Sequence, residues 1–135
     1  MFNPLDEDRE IIMIDPLTGG KKGTKLARFS LIPAEFLWAL AEHYGKGAKK
    51  YDDRNWEKGY RWSLTVDAME RHWNQFKLGE VIDPETGSHH LVAAAWHCIA
   101  LFIFDLRRIG TDDIHDMNRA GHPMESIGNN ETPNN

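Results

Sequence analysis

The chain has 135 residues, 41% of them hydrophobic and 27% charged, which is enough apolar material for one core and not for two. Its net charge is −5 with the acids dispersed along the chain, so duplex nucleic acid is not expected as a partner. The single cysteine, Cys98, excludes an internal disulfide and fits a reducing, cytoplasmic setting.

In chain order, residues 1–24 read as an irregular N-terminal arm. The start, MFNPLDEDRE, is acidic and carries no signal-peptide pattern. IIMID suits a short strand or an extended arm, and DPLTGGKKGTK a turn-rich loop. KLARFSLIP then mixes Lys25 and Arg28 with apolar residues. Pro33 is expected at the first position of a helix, where its missing N–H costs nothing. That helix runs AEFLWALAEHYGKGAKK and frays at Gly45 or Gly47. Phe36, Leu37, Leu40, Ala41 and Tyr44 form its apolar stripe, with Glu35 and Glu42 beside it. Residues 46–62 are basic and aromatic and read mostly as loop; loops of this length in small domains are often functional.

Ser63 is expected to cap a second helix, LTVDAMERHWNQFKL, with Leu64, Ala68, Trp73 and Phe76 toward the core. Asp67, Glu70 and Arg71 fall on one side of it, and Gly79 ends it. Ser88 is expected to cap a third helix reaching about Arg108. From Leu91 to Leu106 that helix is apolar nearly all round, with Cys98 as a small core residue. It is shorter than a bilayer span of roughly 20 residues, so it reads as buried and no membrane partner is expected. Three helices cannot cover it alone, which points to a bundle completed by a homodimer or homotetramer. Residues 25–110 thus form an all-α domain, and residues 111–135 a polar tail, flexible or draped on a partner.

The chemistry concentrates on the connector between the second and third helices. Glu80 and Asp83 stand at E-x-x-D spacing, with Glu85 two further on. If the helices pack antiparallel, Glu35 returns to the same end, and Glu70 can join from the second helix. Carboxylates gathered this way repel one another, and a hard divalent cation removes the conflict. Glu35, Glu70, Glu80 and Asp83 are therefore the candidate ligands of Mg²⁺ or Mn²⁺. His72 and His90 flank the connector and are candidates for proton transfer, metal ligation or phosphate contact, whereas His89 and His97 read as structural. Lys25, Arg28 and Lys49 are candidates for phosphates; Tyr51 or Trp56 for stacking on a base; Asn55 for reading a purine edge.

Several ordered blocks then carry a resemblance. Lys25, Arg28, Phe29, Leu31 and Pro33 match an entry motif, K-x-x-R-F-x-L-x-P. Gly47, Lys49, Tyr51, Arg54, Asn55 and Trp56 match a second block, followed by the pair Arg71–His72. Gly79, Glu80, Asp83, Glu85, Thr86, Gly87, His90 and Leu91 match a third. Together, from about Lys25 to Leu106, the chain resembles the phage dATP/dGTP diphosphohydrolase N-terminal family, allied to MazG-like all-α nucleotide pyrophosphohydrolases. The resemblance implies a MazG-like helix bundle and metal-dependent hydrolysis of a purine deoxynucleoside triphosphate to the monophosphate. One departure stands out: E-x-x-D is present, but the E-E-x-x-E motif usual in MazG-like enzymes is absent, so Glu35, or Asp67 with Glu70, must fill that role. On this reading Glu35, Glu80 and His72 are catalytic. Two other readings compete: a nucleotide-binding helical module without turnover, and an HD-type phosphohydrolase using His72 and His90 as ligands.

Overall fold

The structure, a computed structural model, describes residues 10–115. The chain falls into two compact units divided between Leu37 and Trp38.

The first unit holds the first correction to the sequence reading. IIMI forms the short strand that the sequence allowed, but KKGT, read as loop, pairs with it, so the arm is a two-stranded antiparallel hairpin, β1 (Ile11–Ile14) and β2 (Lys21–Thr24), in the register Ile11↔Thr24 and Ile14↔Lys21. The turn makes the hairpin. Asp15 Oδ1 accepts the N–H groups of Leu17 and Thr18, each at 2.8 Å, and the Asp15 N–H donates to the Gly20 carbonyl at 2.8 Å. The N–H of Thr18, then that of Leu17, holds the Asp15 carboxyl below the usual carboxylate range. A short 3-10 turn, Phe29–Leu31, follows, with Lys25 and Arg28 exposed before it.

α1 (Ala34–Lys50) starts one residue after Pro33, whose carbonyl accepts the Leu37 N–H, and it runs straight through both glycines instead of fraying. A helical glycine costs about 1 kcal/mol relative to alanine. Contacts on either side of Gly45 offset that cost. His43 Nδ1 lies 2.7 Å from Ser88 Oγ, Lys46 Nζ donates to the same oxygen at 3.1 Å, and the Tyr44 ring packs edge-on against Trp56 and Trp96. Lys49 and Lys50 in the last turn suit the negative end of the helix. No residue of α1 is fully buried.

α2 (Trp62–Lys77) and α3 (His90–Arg107) form the main packed pair. Phe76 meets His89, His72 meets His90 and His97, and Trp62 reaches Ile109, so the helices run antiparallel as expected. The core is Trp62, Ala100 and Phe104, surrounded by Trp56, Tyr60, Trp96, Leu101, Ile109 and Ile114. Neither serine caps as expected. His89 caps α3, its Nδ1 accepting the Leu91 N–H at 3.0 Å, which frees Ser88 for His43 and Lys46. At α2, Asp113 accepts both the N–H and the hydroxyl of Ser63 and so supplies an anionic cap from 50 residues away. Residues 111–115 are therefore packed against α2, through Trp62 N–H to Thr111 carbonyl at 3.0 Å. The rest of the expected tail lies outside the described residues.

Core assignments shift within both helices. Leu64 and Trp73 are exposed, while Ala68 and Phe76 are half-buried and Trp62 and Thr65 fully so. The inner face of α3 carries His90, Ala93, half-buried His97, Ala100 and Phe104. Cys98 sits about 100° round the helix from His97 and is exposed, not a core residue. Among the described residues α3 is the one helix long and apolar enough to cross a membrane by length and composition; here it packs along α2.

The chain leaves α3 through Arg108 in the left-handed region and then passes Gly59 and Gly110 backbone to backbone. Gly110 has φ +77°, and a Cβ there would collide with the Tyr60 carbonyl. Gly110→Ala should therefore lower stability by about 1–3 kcal/mol. Urea unfolding midpoints of the two proteins measure it, and equal midpoints would show that the crossing relaxes.

Candidate active site

The connector between α2 and α3 is a closed turn. Leu78 ends α2, and Gly79 follows at φ +102°. Ile82 and His89 then pair across the turn, the Asp83 N–H donates to the Ser88 carbonyl at 2.8 Å, and the Gly87 N–H donates to the Asp83 carbonyl at 2.7 Å. The Asp83 side chain is buried in its own turn: Oδ1 accepts the Glu85 N–H and Oδ2 the Thr86 hydroxyl, both at 3.0 Å. Burial by itself would raise this carboxyl. The two donors, with His72 and His90 nearby, outweigh burial and hold it below the usual range. Asp83 thus pins the connector's shape.

Glu80, four residues after Phe76 and just past the end of α2, points elsewhere. Its Oε1 lies 2.8 Å from His90 Nε2, and His90 is completely buried. His90 Nδ1 in turn lies 2.9 Å from His72 Nδ1 on α2. His90 and His97 are seven residues apart, so both fall on the same face of α3 and both meet His72; the His72 and His97 rings stack at 5.7 Å and 20°. His97 Nδ1 is buried without a hydrogen-bond partner. Burial first, and the positive ends of His72, His43 and Arg71 next, push His97 down to about 4. Burial is also the leading cause that lowers His43 and His72, so these rings are neutral bases at pH 7.

His72 and His97 open onto a cleft of about 1260 Å³ within the second unit. Tyr44, Trp56, Tyr60 and Trp96 form its aromatic wall, and Asn55 and Thr86 add neutral polar groups. Lys46, Lys50 and Arg54 bring positive charge, but Asp52, Asp53, Glu57 and Glu85 line it too, with Lys50 3.6 Å from Glu85 and Arg54 3.0 Å from Glu57. Trp56 is packed edge-on against Tyr44 and Trp96 and tilted over Phe104, which fixes it as wall. Tyr51 is the freer ring, more than half exposed, with Lys50 Nζ 5.2 Å from its centroid. The combination suits a ligand with a flat aromatic part and polar groups beside it.

Of the residues singled out from the sequence, Tyr51, Asn55, Trp56 and His72 line this cleft. His90 lies buried behind His72, and Lys49 is not among the residues that line the cleft. Lys25, Arg28 and Glu35 belong to the first unit. Glu70 sits with Asp67, Arg71 and Asn74 around a separate shallow depression on α2, so those charges do converge as their spacing predicts. Lys46, Lys50, His43 and His97 were missed. His43, Lys46 and Lys50 share one face of α1 at helical spacing, a signal lost once the helix is taken to fray at Gly45.

The donors present do not fit a resident metal ion. Both Asp83 oxygens are engaged by its own turn, and one Glu80 oxygen is engaged by His90. No group of three or more His, Cys, Asp or Glu among the described residues is placed to hold an ion.

The fold and the site together define a small helical protein in which an antiparallel helix pair, closed by an acidic connector, backs a histidine pair onto an aromatic cleft lined by charges of both signs. Residues 16–114 match the family model described as dATP/dGTP diphosphohydrolase, N-terminal, and the chain belongs to that family. A curated relative, the dATP/dGTP diphosphohydrolase of Salmonella phage PMBT28, is 32% identical over 97 residues, covering 72% of this chain. The chain spans about a third of that relative's length (33%). No solved structure matches it significantly.

Proposed function

We propose that the protein hydrolyses a purine deoxynucleoside triphosphate, dGTP, dATP or both, to the monophosphate and pyrophosphate, and so adjusts the nucleotide pool of a phage-infected cell. The observation that carries this reading is the cleft, which joins stacking surface, cations and a neutral histidine in one place. Mg²⁺ or Mn²⁺ enters with the nucleotide as the metal–triphosphate complex, which is the substrate. Tyr51 and Trp56 border the base, Asn55 offers it a paired donor and acceptor, and Lys46 and Lys50 face the phosphates. Water is excluded on the aromatic side by the packed Tyr44–Trp56–Trp96 wall.

The test is a panel of the four dNTPs with Mg²⁺, Mn²⁺ or EDTA, followed by chromatography of the products. Loss of dGTP or dATP with appearance of monophosphate is expected; survival of both in either metal rejects the reading. A second reading, a nucleotide-binding module without turnover, is favoured by the short span of the match to the phage relative. It requires nucleotide-dependent thermal stabilisation that persists in EDTA. In the active case, replacing either Lys46 or Lys50 by alanine should raise KM about 10–100-fold, the value of one lost charge-assisted contact. An unchanged KM would remove the phosphates from that side of the cleft.

Oligomerisation belongs to the same proposal. Phe36 and Leu37 remain 39% and 46% exposed on α1, and Trp73 and Phe102 about half exposed on the other helices. A bundle shared by two or four copies would cover such surface. Light scattering coupled to gel filtration is expected to give a multiple of the 15.5 kDa chain mass, and a monomer over the assay concentrations contradicts it.

A further inference from the structure

We propose that Glu80, His90 and His72 form one hydrogen-bonded relay that fixes His72 as the general base of the reaction, with His90 and Glu80 as positioning residues. This rests on the hydrolase reading above and assigns a residue to its proton-transfer step.

The relay assigns one proton to each facing pair of atoms, starting from the carboxylate. An ionised carboxylate only accepts, so His90 Nε2, 2.8 Å from Glu80 Oε1, carries a proton. In the proposed relay His90 carries that one proton, so its Nδ1 is an acceptor. The atom facing that acceptor at 2.9 Å is His72 Nδ1, which must therefore be the protonated nitrogen of His72. The remaining nitrogen, His72 Nε2, bears a lone pair on a ring that lines the cleft. His90 is fully buried with both ring nitrogens engaged, so it has no competing partner in water. A carboxylate acting through one imidazole on a second extends the familiar rule that a base's orienting partner sets its tautomer.

The charged and titratable groups around His72 come from every neighbouring element. His43 faces it from α1, His90 and His97 from α3, Asp83 and Glu85 from the connector, and Arg71 from its own helix. Asp83 and Glu85 supply the negative charge that favours the imidazolium once it forms.

The step balances as follows. A water O–H bond breaks and its proton goes to His72 Nε2. The water oxygen forms a bond to the α-phosphorus. The bond from that phosphorus to the bridging oxygen breaks, and pyrophosphate leaves with the electron pair. His72 returns its proton to solvent or to the leaving group. Along the relay, the His72 Nδ1–H and His90 Nε2–H bonds stay in place and tighten toward Glu80 as positive charge develops.

Glu80→Gln is the decisive variant, because Glu80 is about half exposed and the change keeps its shape. The amide removes the charge that holds the His90 proton on Nε2 and offers that nitrogen an N–H donor, so the tautomer pair with His90 protonated on Nδ1 and His72 on Nε2 becomes populated. The expected result is a kcat lowered about 10²–10⁴-fold with KM within about threefold, the range for losing a general base. His72→Ala should do the same, and the double variant should be no worse than either single one. Nitrogen-15 spectra of labelled histidine read the relay without turnover: wild-type His72 should be protonated on Nδ1, and the form protonated on Nε2 should emerge in Glu80→Gln. His72 protonated on Nε2 in the wild type overturns the relay, as does a folded Glu80→Gln protein with unchanged kcat. A wild type that hydrolyses no dNTP overturns the hydrolase reading, and with it the role of His72 as base, while the spectra still decide whether the relay exists.

Discussion

Phe104→Ala should lower stability by about 3–5 kcal/mol, the range for removing a buried aromatic ring. For a chain of this length that is a fall of roughly 10–20 °C in melting temperature. Phe104 is the largest fully buried side chain and sits between Trp62 and Ala100 at the centre of the core. Its ring meets Tyr60 edge-on at 5.1 Å and 88° and lies under Trp56 at 6.1 Å. Those two rings are also cleft wall, so the cavity would open directly beneath the ligand site. A nucleotide that stabilises the wild type on heating should therefore stabilise the variant less, even below its melting point. Phe104→Leu, which refills most of the space, should lose much less. Thermal melts of the three proteins with and without dGTP provide the measurement. A Phe104→Ala protein melting within about 3 °C of wild type, on the scale of a single kcal/mol, contradicts the core assignment.

The sequence made the scaffold legible where periodicity and chain punctuation agree. Three helices, the antiparallel α2–α3 pair, the stop at Gly79 and the acidic connector follow from apolar spacing and glycine position. Of the hairpin, IIMI was legible as a candidate strand, but its pairing escaped: Ile11 to Ile14 are all more than half exposed, so they show no alternation, and KKGT lacks strand composition. The caps escaped because the groups that supply them are remote. Ser63 is a good cap by local chemistry, yet Asp113 takes its hydroxyl and does the capping itself.

The site shows the same division. The residue types were legible; their pairing was not. Gathered acids suggested repulsion relieved by a cation, whereas the three acids of the connector each have a protein partner: Asp83 in its turn, Glu80 on His90 and Glu85 near Lys50 at 3.6 Å. The approach of His72 to His90 joins two helices through nitrogens 18 residues apart, a distance no local pattern encodes. His97 reads as structural when taken alone. Its seven-residue interval from His90 becomes informative once α3 is known to face His72.

Acidification is expected to weaken the fold well above the range in which carboxylates titrate. His97 has a folded-state value of about 4 against an ordinary value of 6.5, because burial and neighbouring positive charge disfavour its imidazolium. The unfolded chain therefore binds the extra proton between pH 6.5 and about pH 4. In that window protonation favours unfolding, so stability falls as pH falls and is fully present above pH 6.5. The ring retains some solvent contact, so the loss from His97 is about 2–3 kcal/mol, less than the full difference at about 1.4 kcal/mol per unit. His43 and His72 are shifted in the same direction by the same leading cause and add to the slope. The low-lying carboxyls of Asp83 and Asp112 also give up stability on protonation, but only below their ordinary value of 3.8. Urea unfolding at pH 7.5, 6, 5 and 4.5 should thus show most of the loss before those acids respond. His97→Gln removes the titrating ring, and its stability should decline less steeply over the same interval. Parallel profiles for the two proteins would mean that His97 is solvated and free to charge in the folded chain, in conflict with its unpartnered, buried Nδ1.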